Sequence, residues 1–243
     1  MSKKSRSRTV EKRDPKTIMF WSFMAVALVT GVAMYGVAQS RVSAVPPDEG
    51  RTATRSFESH TYPRLTVLGD SITGGSHNNV VWPDLLAAKR TWYVNNIAEG
   101  STGYSAGENK AFPFKVDDAV ATTPDVIMVV GSRNDVYNPE LVGPAAARVY
   151  ADLKAKAPNV PIFVVGPIWD NKQPPPAMLS VNASIRQAAQ NAGLLFIDAL
   201  AENWLGDPTL IQKDDRVHPT DAGQQVLADH IDRAIPQVTI KKS

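Results

Sequence analysis

The sequence predicts a three-layer α/β/α domain on a parallel five-stranded sheet. Three observations carry this. Five short apolar runs alternate with helix-periodic segments from residue 62 onward. Two of the runs, VIMVV and IFVVG, are apolar on both faces, as strands covered on both sides must be. The last helical segment places Val226, Leu227, His230, Ile231, Ala234 and Ile235 on one face.

In chain order, the strands are predicted at Arg64–Gly69, Trp92–Ala98, Asp125–Gly131, Pro161–Gly166 and Leu194–Asp198. The helices are predicted over 80–90, 112–121, 139–156, 176–192 and 219–235. Pro219 would fall in the first turn of the last helix, where a missing N–H costs little. Ligands of such sheets bind beyond the carboxyl ends of the strands, so chemistry is sought there.

Ahead of the domain, residues 1–17 hold seven basic and two acidic side chains, a net of +5. The whole chain of 243 residues nets +2, so the remainder nets −3 and a nucleic-acid footprint on the domain is not expected. Residues 18–38 form a run of 21 uncharged residues, which spans roughly 31 Å as a helix, about one bilayer core. The basic tail places the N-terminus in the cytoplasm. The expected plan is a cytoplasmic tail (1–17), a transmembrane signal-anchor (18–38), a linker (39–61) with Pro46 and Pro47, and a monomeric domain (62–238) outside the membrane. Cleavage after the small residues around Ala38–Ser40 would secrete the domain instead. The absence of cysteine excludes disulfides and a thiol nucleophile.

Ser71 follows the first strand in LGDSITGG and opens a helix; a serine there is either a nucleophile or a helix N-cap. A nucleophile needs a base, and the chain has four histidines. His60 lies in the linker, His77 in a Gly/Asn-rich segment and His230 on the packed face of the last helix. His218 sits in KDDRVHPTDAG, three residues after Asp215. That spacing lets a carboxylate reach Nδ1 while Nε2 points outward. It also suits an Asx-turn, and Asp214, Asp215, His218 and Asp221 could be read as hard-metal ligands. GSRND, after the third strand, brings the Asn134 amide to the same sheet edge. NNIAEGSTGYSAG, after the second, is a glycine-rich loop that permits close backbone approach.

With these residues the chain resembles the SGNH (GDSL-like) hydrolases, over about residues 62–236. The resemblance implies a flavodoxin-like sheet of order 2-1-3-4-5. It implies Ser71 as nucleophile, with its N–H an oxyanion donor, Asn134 as a side-chain donor, and Asp215 and His218 as acid and base. The second-strand loop would give one further donor, Gly100, with Gly103 as the alternative. Ser132 stands where the family pattern has glycine. No cofactor and no metal are implied. The expected activity is hydrolysis of carboxylic esters (lipid, acetyl-sugar or small acyl) through an acyl-enzyme. The alternatives are an acyltransferase acting on a cell-wall glycan, or a non-catalytic binding domain. GPIWDNKQPPPAM should rim the pocket through Trp169, with Tyr104 in a similar part.

Overall fold

The computed structural model describes residues 62–238. The five strands are β1 (Arg64–Leu68), β2 (Tyr93–Asn96), β3 (Val126–Val130), β4 (Ile162–Val165) and β5 (Leu195–Ile197). All pair in parallel in the order β2-β1-β3-β4-β5. The α-helices are α1 (Ser71–Gly74), α2 (Trp82–Arg90), α3 (Val116–Ala121), α4 (Pro139–Lys156), α5 (Pro176–Asn191) and α6 (Asp221–Ala234). The expected tail, membrane anchor and linker, with His60, lie outside the described residues. Among the described residues no helix is long and apolar enough to cross a membrane.

Strand alternation sorts the core into two layers. Val126, Met128 and Val130 of β3, with Phe163 and Val165 of β4, face Trp82 and Leu86 of α2 and Leu227 and Ile231 of α6. Ile127 and Val129, with Ile162 and Val164, face Val149 and Leu153 of α4 and Val181 and Ile185 of α5. Every residue of β3 is buried, which explains its unbroken apolar run. The strand order reverses between β1 and β3, so a crevice opens at their carboxyl ends, where Ser71 and Asn134 emerge.

The strands are one to three residues shorter at their ends than predicted, because the flanking residues turn into loops. Three helix starts also differ, the first by two residues, at Trp82 rather than 80. The segment 112–121 opens as a 3₁₀ turn at Phe112–Phe114, and Lys115 at φ −101°, ψ 0° separates it from α3. Pro219 does not enter the last helix. It pairs with Ile211 in an isolated antiparallel bridge, and Thr220 caps α6 by accepting from the Gly223 N–H.

One side chain holds three helices together. Gln224 of α6 is fully buried; its Oε1 accepts from the Trp82 N–H of α2 at 2.9 Å, and its Nε2 donates to the Ile72 carbonyl of α1 at 3.0 Å. Gln224→Leu keeps the bulk but strands both backbone groups, which should cost about 2–4 kcal/mol. A urea denaturation midpoint unchanged from wild type would contradict this role.

Candidate active site

The turn after β1 is built around Asp70. Gly69 precedes it, and a Cβ there would meet the Thr73 hydroxyl at 2.6 Å. Asp70 is the N-cap of α1: its Oδ1 accepts from the Ile72 N–H at 2.9 Å. Its Oδ2 accepts from Ser132 Oγ at 2.7 Å and the Arg133 N–H at 3.3 Å, across the β1–β3 crevice. Burial pushes the Asp70 carboxyl up, opposed by the donors at Ser132, Ile72 and Arg133.

Since Asp70 takes the cap, Ser71 is the first helical residue and its hydroxyl has no capping duty. Ser71 Oγ lies 2.8 Å from His218 Nε2. His218 Nδ1 lies 2.6 Å from Asp215 Oδ2, and Asp215 Oδ1 accepts from the Val217 and His218 N–H groups at 2.9 and 3.0 Å. The Asx-turn and the orienting carboxylate are therefore the same group. Burial raises its pKa, but the donors at His218 and Val217 prevail and hold the carboxyl at about 2. Gln212 closes the loop, its N–H donating to the His218 carbonyl at 2.8 Å and its carbonyl accepting from the Arg216 N–H at 3.0 Å.

Asn134 is the second residue of a 3₁₀ turn that Ser132 caps, the serine Oγ accepting from the Asn134 N–H at 2.9 Å. Asn134 Nδ2 donates to the Thr102 carbonyl at 3.0 Å, which orients the amide and leaves its second hydrogen unused. The two candidate glycines separate clearly. A Cβ at Gly100 would stand 3.8 Å from the Ser71 Cβ, so its backbone borders the serine. The Gly100 and Ser71 N–H groups have no acceptor among the described residues. The Gly103 N–H is spent on the Ala106 carbonyl at 2.9 Å, and a Cβ there would strike Asp135 Oδ1 at 2.5 Å.

That contact exposes a residue to which the sequence reading gave no task. Asp135 is fully buried, and its carboxylate gathers the N–H groups of Tyr104, Ser105 and Ala106 and the Ser105 hydroxyl, at 2.8–3.2 Å. It folds the β2 loop around one charge. Its adjacency to Asn134 was the available signal. The same pull corrects the expectation for Tyr104. The ring is 1% exposed and cannot rim a pocket; its hydroxyl pairs with that of Tyr150 at 2.5 Å and its edge packs on Phe112.

Trp169 is half-buried, with the Arg133 guanidinium 4.3 Å from its ring centroid. It lines a groove of about 500 Å³ with Lys172, Arg186 and Asn203, whose lining does not include Ser71. His77 is exposed, and His230 stacks on Trp204 at 4.9 Å. Asp221 binds the Asn78 and Asn79 amides at 3.2 and 2.7 Å. Among the described residues no three His, Asp or Glu side chains gather as metal ligands would.

Residues 67–226 match the model of the GDSL-like lipase/acylhydrolase family. The chain is 31% identical over 183 residues to the GDSL lipase Rv0518 of Mycobacterium tuberculosis, spanning 69% of this chain and 79% of that protein. Its fold is similar to a Lactobacillus plantarum protein, with a TM-score of 0.60 at 20% identity over 72% of this chain and 97% of that one. It is also similar to an acetyl xylan esterase, with a TM-score of 0.58 at 18% identity over 71% of this chain and all of the other.

The Asp215 carboxyl, held at about 2 against 3.8 when free, favours the folded state only while ionised. Its contribution is therefore complete above about pH 4 and fades as pH falls towards 2. Denaturant titrations of wild type and Asp215→Asn should show a stability gap that is constant above that range and closes below it. A gap that widens on acidification would contradict the assignment.

Proposed function

The chain belongs to the GDSL-like lipase/acylhydrolase family and is an SGNH-type hydrolase, and on that premise we propose that it is a serine esterase working through Ser71, His218 and Asp215. The observation that carries the reading is the unbroken relay from Ser71 Oγ to His218 Nε2 at 2.8 Å and from His218 Nδ1 to Asp215 at 2.6 Å.

Each step uses groups already in place. His218 Nε2 takes the Ser71 proton as Oγ bonds to the ester carbonyl carbon. Asp215 fixes the imidazole with its proton on Nδ1 and stabilises the imidazolium that forms. The negative charge on the former carbonyl oxygen is met by the N–H groups of Ser71 and Gly100 and the second amide hydrogen of Asn134, each fixed before the reaction starts. Collapse expels the alcohol oxygen, which takes the proton from His218. Water then attacks the acyl-Ser71 ester, giving its proton to His218, and the carboxylic acid leaves with Ser71 restored.

The substrates fall among carboxylic esters: lipid, acetyl-sugar or small acyl. The uncharged run 18–38 behind a basic tail supports a domain tethered to a membrane and working outside the cytoplasm.

Ser71→Ala should abolish p-nitrophenyl acetate hydrolysis by residues 41–243 and labelling by a fluorophosphonate probe. Asn134→Ala should lower kcat by about 10²–10³ with KM little changed. Turnover retained by the serine variant would discard the mechanism.

A further inference from the structure

Residues 62–238 carry 14 basic and 19 acidic side chains, a net of −5. Against that background, one groove beside the catalytic loop is cationic. It encloses about 430 Å³ and is lined by Lys172, Lys213 and Arg216, with the amides of Asn171 and Gln212 and no carboxylate. The adjoining groove shares Pro208, Ile211, Gln212 and Lys213 with it, and by contrast counts Asp214 and Asp221 in its lining.

One of the three cations is held in place by its neighbours. Lys172 Nζ is aimed by two contacts, Asp170 Oδ2 at 3.2 Å and the Arg216 carbonyl at 2.7 Å. Asp170 is 1% exposed and serves Arg133 Nη1 as well, at 3.3 Å, so one carboxylate faces two cations and the cluster stays positive. Lys213 and Arg216 are exposed, and neither side-chain cation has a partner among the described residues. Three like charges around one hollow repel each other, and an anion placed among them relieves that repulsion.

The position relative to the chemistry says which part of a substrate would lie there. His218 must protonate the departing oxygen, so the alcohol portion leaves on the imidazole side. Arg216 is two residues before His218 in the same loop, whereas Gly100 and Asn134, proposed to hold the carbonyl oxygen, lie on the loops after β2 and β3. We propose that the Lys172–Lys213–Arg216 groove binds an anionic group, phosphate or carboxylate, on the alcohol portion of the ester. The inference rests on the esterase reading of Ser71, and makes the physiological substrate an anionic ester.

The test uses the full-length chain and three acetate esters of one phenol skeleton: neutral 4-acetoxybenzamide, 4-acetoxybenzoate and 4-acetoxyphenyl phosphate. The readout is the ratio of kcat/KM for each anionic ester to that for the neutral one, so intrinsic reactivity cancels between enzymes. In Lys213→Gln/Arg216→Gln the ratio should fall about five- to tenfold, and in wild type it should fall as sodium chloride is added. Arg216→Lys, which keeps the charge, should hold the ratio within about twofold. If the double variant does not fold, Lys213→Gln alone should lower the ratio about two- to threefold. The anion whose ratio drops further identifies phosphate or carboxylate as the source. Turnover of all three esters with ratios indifferent to the substitutions and to salt overturns this inference and leaves the esterase standing. No turnover of any of them overturns the esterase reading itself.

Discussion

Between the ends of β1 and β3 a buried carboxylate does what no backbone ladder can. Parallel strands exchange hydrogen bonds along their length, but those bonds stop where the strands stop. Beyond that point Asp70 takes over, with one oxygen capping α1 and the other accepting from Ser132 and Arg133. The serine and the asparagine that flank the crevice are thereby held to one another through a single side chain. Burying that charge is unfavourable, and its three donors are what make it tolerable. Ser132 is central to this. A glycine at 132 could neither donate to Asp70 nor cap the turn that carries Asn134. The residue that departs from the family pattern thus gives the site a contact of its own.

Much of the domain was legible because its signals are local. A short, β-branched apolar run such as VIMVV reads as a covered strand, and α4 begins and ends where its residues predict. The relay was legible because Asp215 and His218 are three residues apart and a turn is enough to join them. What escaped the sequence reading depends on partners that no residue pattern names. Tyr104 looks like a pocket aromatic until the loop around it is folded inward by Asp135, 31 residues away. Pro219 looks like a helix opener until its partner, Ile211, is known. The two glycines of the β2 loop differ in which N–H is already spent and in which side chain each faces, and no pattern of residues records that.

Electrostatics divide the site into two unlike halves. Carboxylates do the structural holding: Asp70 at the crevice, Asp135 inside the β2 loop, Asp215 under the imidazole. Each is surrounded by N–H donors, so its charge is satisfied locally and projects little outward. The cations near the catalytic loop are placed the other way, with Lys213 and Arg216 exposed and facing open space.

Gln224 ties α6 to the Ile72 carbonyl, and His218 meets Ser71 across 147 residues. The consequence is one of timing. In a chain made from its N-terminus, Ser71 appears 147 residues before His218. Until His218 has arrived the proposed base for Ser71 is missing, and until Gln224 follows it the Ile72 carbonyl lacks its side-chain partner. Under the proposed mechanism, the growing chain is chemically silent towards esters, and reactivity begins only once the base has joined the serine.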